Sequence, residues 1–170
     1  MKKYQVIFAM KAAVVLCALL MVGCGGGKET STGDRKIADW KYRESRAPMI
    51  ETECVITGNV KDDIEYIINS VRGDFYYTRE NVDYWKSSQE ALEDGFGDCE
   101  DMAAIAYRVI SDSCLVDEYG LDVRIRIIDQ GEELHAIAIA YSEYAFIEVS
   151  NFYVSDHESH NPVTAEFFVF

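Results

Sequence analysis

The run Gly95-Phe96-Gly97-Asp98-Cys99-Glu100-Asp101 leads into Met102-Ala103, with Ala106, Val109 and Ile110 following at helical spacing. Two glycines flex the chain on the near side, and apolar residues every three or four positions predict a helix from Cys99 to about Ser113. Cys99 therefore stands in the first turn of an apolar-faced helix. Unpaired backbone N–H groups and the helix dipole favour a thiolate there, whereas the carboxylates of Asp98, Glu100 and Asp101 oppose one. A reactive thiol at this position needs its own cation.

Working outward toward the N-terminus, Ser87-Ser88-Gln89-Glu90 has capping-box form ahead of Ala91 and Leu92, and Gly95 ends that short helix. Before it, Val60, Ile64, Ile67, Ile68 and Val71 recur with helical period between Asn59, a cap, and Gly73, a stop. Toward the C-terminus the period changes to two. Val123, Ile125 and Ile127 alternate with Arg124 and Arg126, and Ala136 to Tyr141 is an unbroken apolar or aromatic run, so strands are expected. Leu134–Tyr141 and Tyr144–Ser150 flank Ser142-Glu143 and predict an antiparallel hairpin, with Phe167–Phe170 as an added edge strand. Helices first and strands second define an α+β layout in which the Cys99 helix packs on an antiparallel sheet.

The cation that Cys99 needs is sought among three histidines. His157 and His160 lie in a polar stretch that reads as surface, while His135 begins an apolar strand, where an unpartnered imidazole is costly to bury. A Cys on a helix facing a His on a strand is the arrangement of thiol acyl transfer, in which a third group orients the ring. If the turn centres on Ser142 and Glu143, Ser150 lies opposite His135 and Glu148 opposite Ile137, both on the histidine's face. Glu148 is the carboxylate of that set and the preferred third residue; Ser150 and Asn151 are the other candidates. The Cys99 backbone N–H is the first candidate for an oxyanion donor and Gln89 the second. Trp85 reads as core or as a platform for substrate.

The chain has 170 residues, and its formal charge of −14 argues against nucleic-acid phosphate as the main partner. Residues 1–23 open on Met1-Lys2-Lys3 and carry an apolar stretch, Ala12–Val22, too short to span a bilayer. They contain three lysines and no acid, so the remainder carries −17. Of the five cysteines, Cys17 falls within that segment and Cys24 just after it, leaving Cys54, Cys99 and Cys114. At most one disulfide and one free thiol can form from three. Cys54 and Cys114 could pair, or both could be buried thiols; their spacing leaves this open. Polar, aperiodic sequence from residue 24 to about 50 reads as a flexible tether, with Trp40 and Tyr42 able to dock, and residues 51–170 as the folded domain.

Two resemblances attach to these residues. Leu20-Met21-Val22-Gly23-Cys24 resembles the bacterial lipoprotein signal, with Met21 in place of the more usual Leu. It implies removal of 1–23, acylation of Cys24, and a domain lipid-anchored at the cell envelope facing out of the cytoplasm. Tyr84-Trp85, Gln89-Glu90-Ala91-Leu92, Gly97-Asp98-Cys99-Glu100-Asp101 and His135-Ala136 together resemble the bacterial transglutaminase-like cysteine proteinases of the papain-related superfamily. That implies a papain/transglutaminase-like core, Cys99 as nucleophile, His135 as general base and acid, and a protein or peptide substrate. The family's third residue is an Asp, and here the matching segment Phe146-Ile147-Glu148-Val149-Ser150-Asn151 lacks one. This departure sets an inactive binding or scaffolding module beside the enzyme as the alternative. No cofactor is required: zinc spacing and a phosphate loop are both absent. Asp98 and Glu100 could hold a calcium ion, as acidic neighbours of the Cys do in some relatives.

Overall fold

A computed structural model describes residues 32–79 and 84–168. In chain order the elements are α1 (Thr32–Glu44), α2 (Val60–Arg72), β1 (Tyr76–Tyr77), α3 (Ser88–Asp94), β2 (Phe96–Gly97) and α4 (Cys99–Asp112). They continue with α5 (Leu115–Tyr119), β3 (Asp122–Asp129), β4 (Leu134–Tyr141), β5 (Phe146–Ser150), β6 (Tyr153–Ser155) and β7 (Val163–Phe167). The three expected helices form with the caps their sequences encode. Asn59 accepts from the N–H groups of Lys61 and Asp62, Ser87 and Glu90 complete a capping box, and Gly95 closes α3 in the left-handed region at φ 74°.

Strands β3 to β7 make one antiparallel sheet in the order β6-β5-β4-β3-β7. Its two faces are packed differently. Ala136, Ala138 and Ala140 of β4 lie in the main core with Ala103, Ala104, Ala106, Val109 and Ile110 of α4. Small side chains on both partners let helix and strand approach closely. On the other face Ile128, Ile137 and Ile139 form a second cluster with Tyr141 and Phe146. The segment between β6 and β7 reaches that face: Ser159 N–H donates to Glu148 and Arg126 pairs with Glu158.

Three expectations are corrected. The tether assigned to 24–50 is folded from Thr32 onward, because α1 is built into the domain; residues 24–31, like the 1–23 signal segment and Cys24, lie outside the described residues. Trp40 is fully buried and its indole N–H donates to Lys86 C=O at 2.9 Å, while Tyr42 stays exposed. Glu44, also fully buried, accepts from the N–H and hydroxyl of Ser88, each at 2.7 Å. Arg108 of α4 donates to the carbonyls of Glu44 and Ala47 and holds Asp112, which accepts from Ile50 N–H. The chain is therefore fastened down to residue 50. The second correction is the hairpin register. Residues 142–145 form the β4–β5 loop, closed by Ser142 N–H donating to Ala145 C=O, and Glu148 faces Ile139 rather than Ile137. The edge strand expected at Phe167–Phe170 is Val163–Phe167, paired with β3; 169–170 lie outside the described residues.

Cys54 and Cys114 form a disulfide with Cα atoms 5.9 Å apart, tying the segment ahead of α2 to the start of α5. Closing a loop of that size stabilises the fold by about 4 kcal/mol in the chain-entropy account. Among the described residues no helix is long and apolar enough to cross a membrane.

Candidate active site

Cys99 opens α4 as its first residue and is the free cysteine of the described chain. The approach to it is fixed by a tight junction. Gly97 sits so close to Asp101 that a Cβ there would come within 2.6 Å of the Asp101 Cβ, so only glycine fits. Asp101 is itself fully buried, accepting from the backbone N–H groups of Lys86 at 2.9 Å and Asp98 at 3.4 Å, with the Lys86 ammonium 3.9 Å away. Of the three acids around the cysteine, Asp101 thus braces the turn. Lys86, which is buried, donates to Phe96 C=O and lies over the Phe96 ring; sequence reading missed it because its role is tertiary.

Asp98 and Glu100 bear directly on the sulfur. The Cys99 thiol contacts Glu100 Oε2 at 3.2 Å. Burial, and then the charges of Glu100 and Asp98, push its pKa up to about 12, against a pull downward from the backbone N–H of Ala136. Glu100 is itself pushed up to about 7, first by burial and then by Asp98. One Asp98 oxygen, Oδ1, is buried without a hydrogen-bond partner. Two carboxylates thus crowd one sulfur, and the resting thiol keeps its proton.

His135 is the second residue of β4, immediately before Ala136, so the residue whose N–H reaches Sγ is the one that follows the histidine. The ring's Nε2 lies 2.9 Å from Ser150 Oγ. Burial holds the imidazole below its ordinary pKa, and the charges of Glu133 and Glu148 pull the other way. Among the described residues no hydrogen bond joins Sγ to the ring. The two-residue register displacement explains why Ser150 is the partner: an even shift keeps the face, so Ser150 reaches His135 along the diagonal. Glu148 acts on the ring through its charge, while its Oε2 accepts from Ser159 N–H at 3.1 Å.

The strand carrying Ser150 ends in a two-residue turn, Asn151 at φ 48° and Phe152 at φ 66°, which returns the chain so that Ser150 pairs with Tyr153. Phe152 is buried and packs edge-on against Phe75 at 5.5 Å. Asn151 turns its buried Oδ1 to no partner in the described chain and does not join the ring. Gln89 is exposed, with its amide donating to Glu93 at 2.8 Å on its own helix, so the structure does not bring it to the sulfur. The Cys99 backbone N–H is the remaining oxyanion candidate. Trp85 belongs to the aromatic packing of the fold and also borders open space. It packs on Trp40 and Phe167 at 5.3 and 6.1 Å, and it lines a cavity of about 350 Å³ that opens beside Cys99.

No protein-family model matches the chain, and no curated protein does. Among solved structures, calcium-bound Legionella pneumophila LapG superposes with a TM-score of 0.52 at 19% identity, covering 82% of this chain and 77% of that one. The same protein after EGTA treatment gives a TM-score of 0.52 at 19% identity over 82% and 75% of the two chains. At this identity the likeness is one of fold: the chain is an α+β protein that shares the fold of LapG.

Proposed function

We propose that the chain is a thiol acyl-transfer enzyme, a cysteine peptidase acting on a protein or peptide at the bacterial cell envelope. Cys99 is its nucleophile, His135 its general base and acid, and Ser150 the group that orients the imidazole. The observation that carries this reading is the junction at β4: Ala136 N–H reaches Sγ while the adjacent ring is held at Nε2 by Ser150. With Nε2 so engaged, Nδ1 is the nitrogen left to take the thiol proton. The thiolate then adds to the substrate carbonyl, and the Cys99 backbone N–H stabilises the oxyanion. As the C–N bond breaks, the imidazolium protonates the departing amine and a thioester remains. Water, activated by the same ring, releases the acid and restores the thiol; an amine in its place would give transfer instead.

The raised thiol pKa means that burial, and after it the negative charge of Glu100 and Asp98, opposes the first step. Asp98 and Glu100, with a crowded pair of carboxyls and a buried unpartnered oxygen, fit a calcium ion, although among the described residues no three acidic, His or Cys side chains gather for a metal. Calcium held there, completed by backbone or water oxygens, would supply positive charge beside the sulfur. The chain's own residues do the rest. Anchoring through acylated Cys24 and residence outside the cytoplasm belong to the same proposal, supported by the Cys54–Cys114 disulfide, since disulfides persist in oxidising compartments.

A second reading, a binding or scaffolding module, is favoured by the neutral resting thiol and by Ser150 standing where a carboxylate would serve better. Iodoacetamide labelling of Cys99 across pH separates the two. Enzyme function predicts labelling near neutral pH about 100-fold faster than in His135→Ala, the scale of a positioned general base. Equal rates would leave the binding module.

A further inference from the structure

The cavity of about 350 Å³ beside Cys99 has walls from five parts of the chain: Ile37 of α1, Trp85, Ile127 of β3, Leu134 of β4 and Ala165 of β7. Their lining groups are aliphatic and aromatic. A charged group placed among them would lose its hydration without a partner, whereas each apolar methylene buried there is favoured by its removal from water. The charged residues of the lining, Lys36 and Glu100, are of opposite sign, so the rim as a whole selects neither an acid nor a base. The volume is at the lower end of ligand sites, room for one large side chain with its backbone.

We infer that this cavity is a specificity pocket for a bulky apolar side chain on the residue whose carbonyl Cys99 attacks. The inference rests on the thiol acyl-transfer reading, since Cys99 itself lines the pocket and ties side-chain binding to the reacting carbonyl. It gives α1 a function: the N-terminal helix supplies Ile37 to the wall, and its Trp40 backs Trp85 at 5.3 Å, so the helix shapes what the site accepts.

The test uses the full chain and four acetyl-Gly-X chloromethyl ketones, with X as Leu, Ala, Asp or Lys, each read at Cys99 by peptide mass and normalised to iodoacetamide. The Leu reagent is expected to label at least about tenfold faster than Ala, with Asp and Lys slower still. Ile37→Trp, which fills the pocket, is expected to lower the Leu rate about tenfold with iodoacetamide labelling within about twofold of wild type. Ala165→Leu, also in the wall, serves if Ile37→Trp does not fold. Ketones that label faster than in His135→Ala but without preference for Leu overturn the pocket and leave the nucleophile standing. Ketones that label no faster than in His135→Ala overturn both.

Discussion

At the residue scale, the site is set by which uncharged or charged group touches which ring or sulfur. Ser150 holds Nε2 with a neutral hydroxyl, so it orients the imidazole but does little to stabilise the imidazolium, which burial already disfavours. Replacing it by a carboxylate makes the bond charge-assisted, roughly doubling its strength. Ser150→Asp is therefore expected to raise the His135 pKa, followed by NMR titration, and to speed Cys99 labelling at pH 7 about tenfold; Ser150→Ala should slow it. Glu100 offers a test with a defined pH window. Its folded pKa of about 7 lies above the ordinary value of 4.5, so the folded state holds a proton that the unfolded chain has released. Stability is present in full below pH 4.5 and is lost as pH rises toward 7. Glu100→Gln removes that loss. Its melting temperature relative to wild type should rise between pH 4 and pH 8, and a pH-independent difference would contradict the assigned pKa.

At the element scale, the β5–β6 turn joins strain to position. A bulky residue in the left-handed region costs about 1–2 kcal/mol, and Phe152 tolerates it because its ring is buried against Phe75. Phe152→Ala should lose about 3 kcal/mol or more of packing while keeping the backbone cost. Phe152→Gly loses the same ring but sheds the strain, so in urea unfolding it should be more stable than Phe152→Ala by about 1 kcal/mol, the reverse of the usual order. Elements of this kind divide by how local their causes are. The helices capped by Asn59, Ser87 and Gly95 were legible because cap and apolar stripe lie within a few residues, and Cys99 and His135 were legible because one opens an apolar-faced helix and the other stands at the start of an apolar strand run. The β4–β5 loop was not: Ser142-Glu143 reads as a two-residue turn, and only the seating of Glu148 opposite Ile139 sets the register. With it went the choice between Glu148 and Ser150, which depends on two residues of shift along one face. Helix α1 was hidden for a different reason, since its partners Ser88, Trp85 and Lys86 are about forty or more residues away.

At the scale of the whole molecule, the acidity that marks the sequence is unevenly spent. Most carboxylates are paired or exposed, as with Glu166 on Arg124 and Arg126, whereas Asp98 and Glu100 are left against the thiol. The domain that carries this charge is larger than a reading of composition allows, and its true start is measurable. Trp40 and Glu44 are fully buried, Arg43 of α1 donates to Glu90 and to Trp85 C=O at 2.6 Å each, and Arg108 clamps the carbonyls after the helix. Losing the helix would expose Trp85, Phe167 and the Ser88 end of α3 and leave Arg108 without those backbone partners. A chain beginning at Thr32 is expected to unfold in urea as one transition with the stability of the longer chain. One beginning at Glu51, the boundary suggested by composition, should lose at least the 3–5 kcal/mol of a buried Trp, enough to unfold a marginally stable domain. Its iodoacetamide labelling of Cys99 should then become that of an exposed free thiol, insensitive to His135→Ala. If the shorter chain instead kept both its transition and its dependence on His135, α1 would be an appendage and neither the fold boundary nor the Ile37 wall of the pocket would stand.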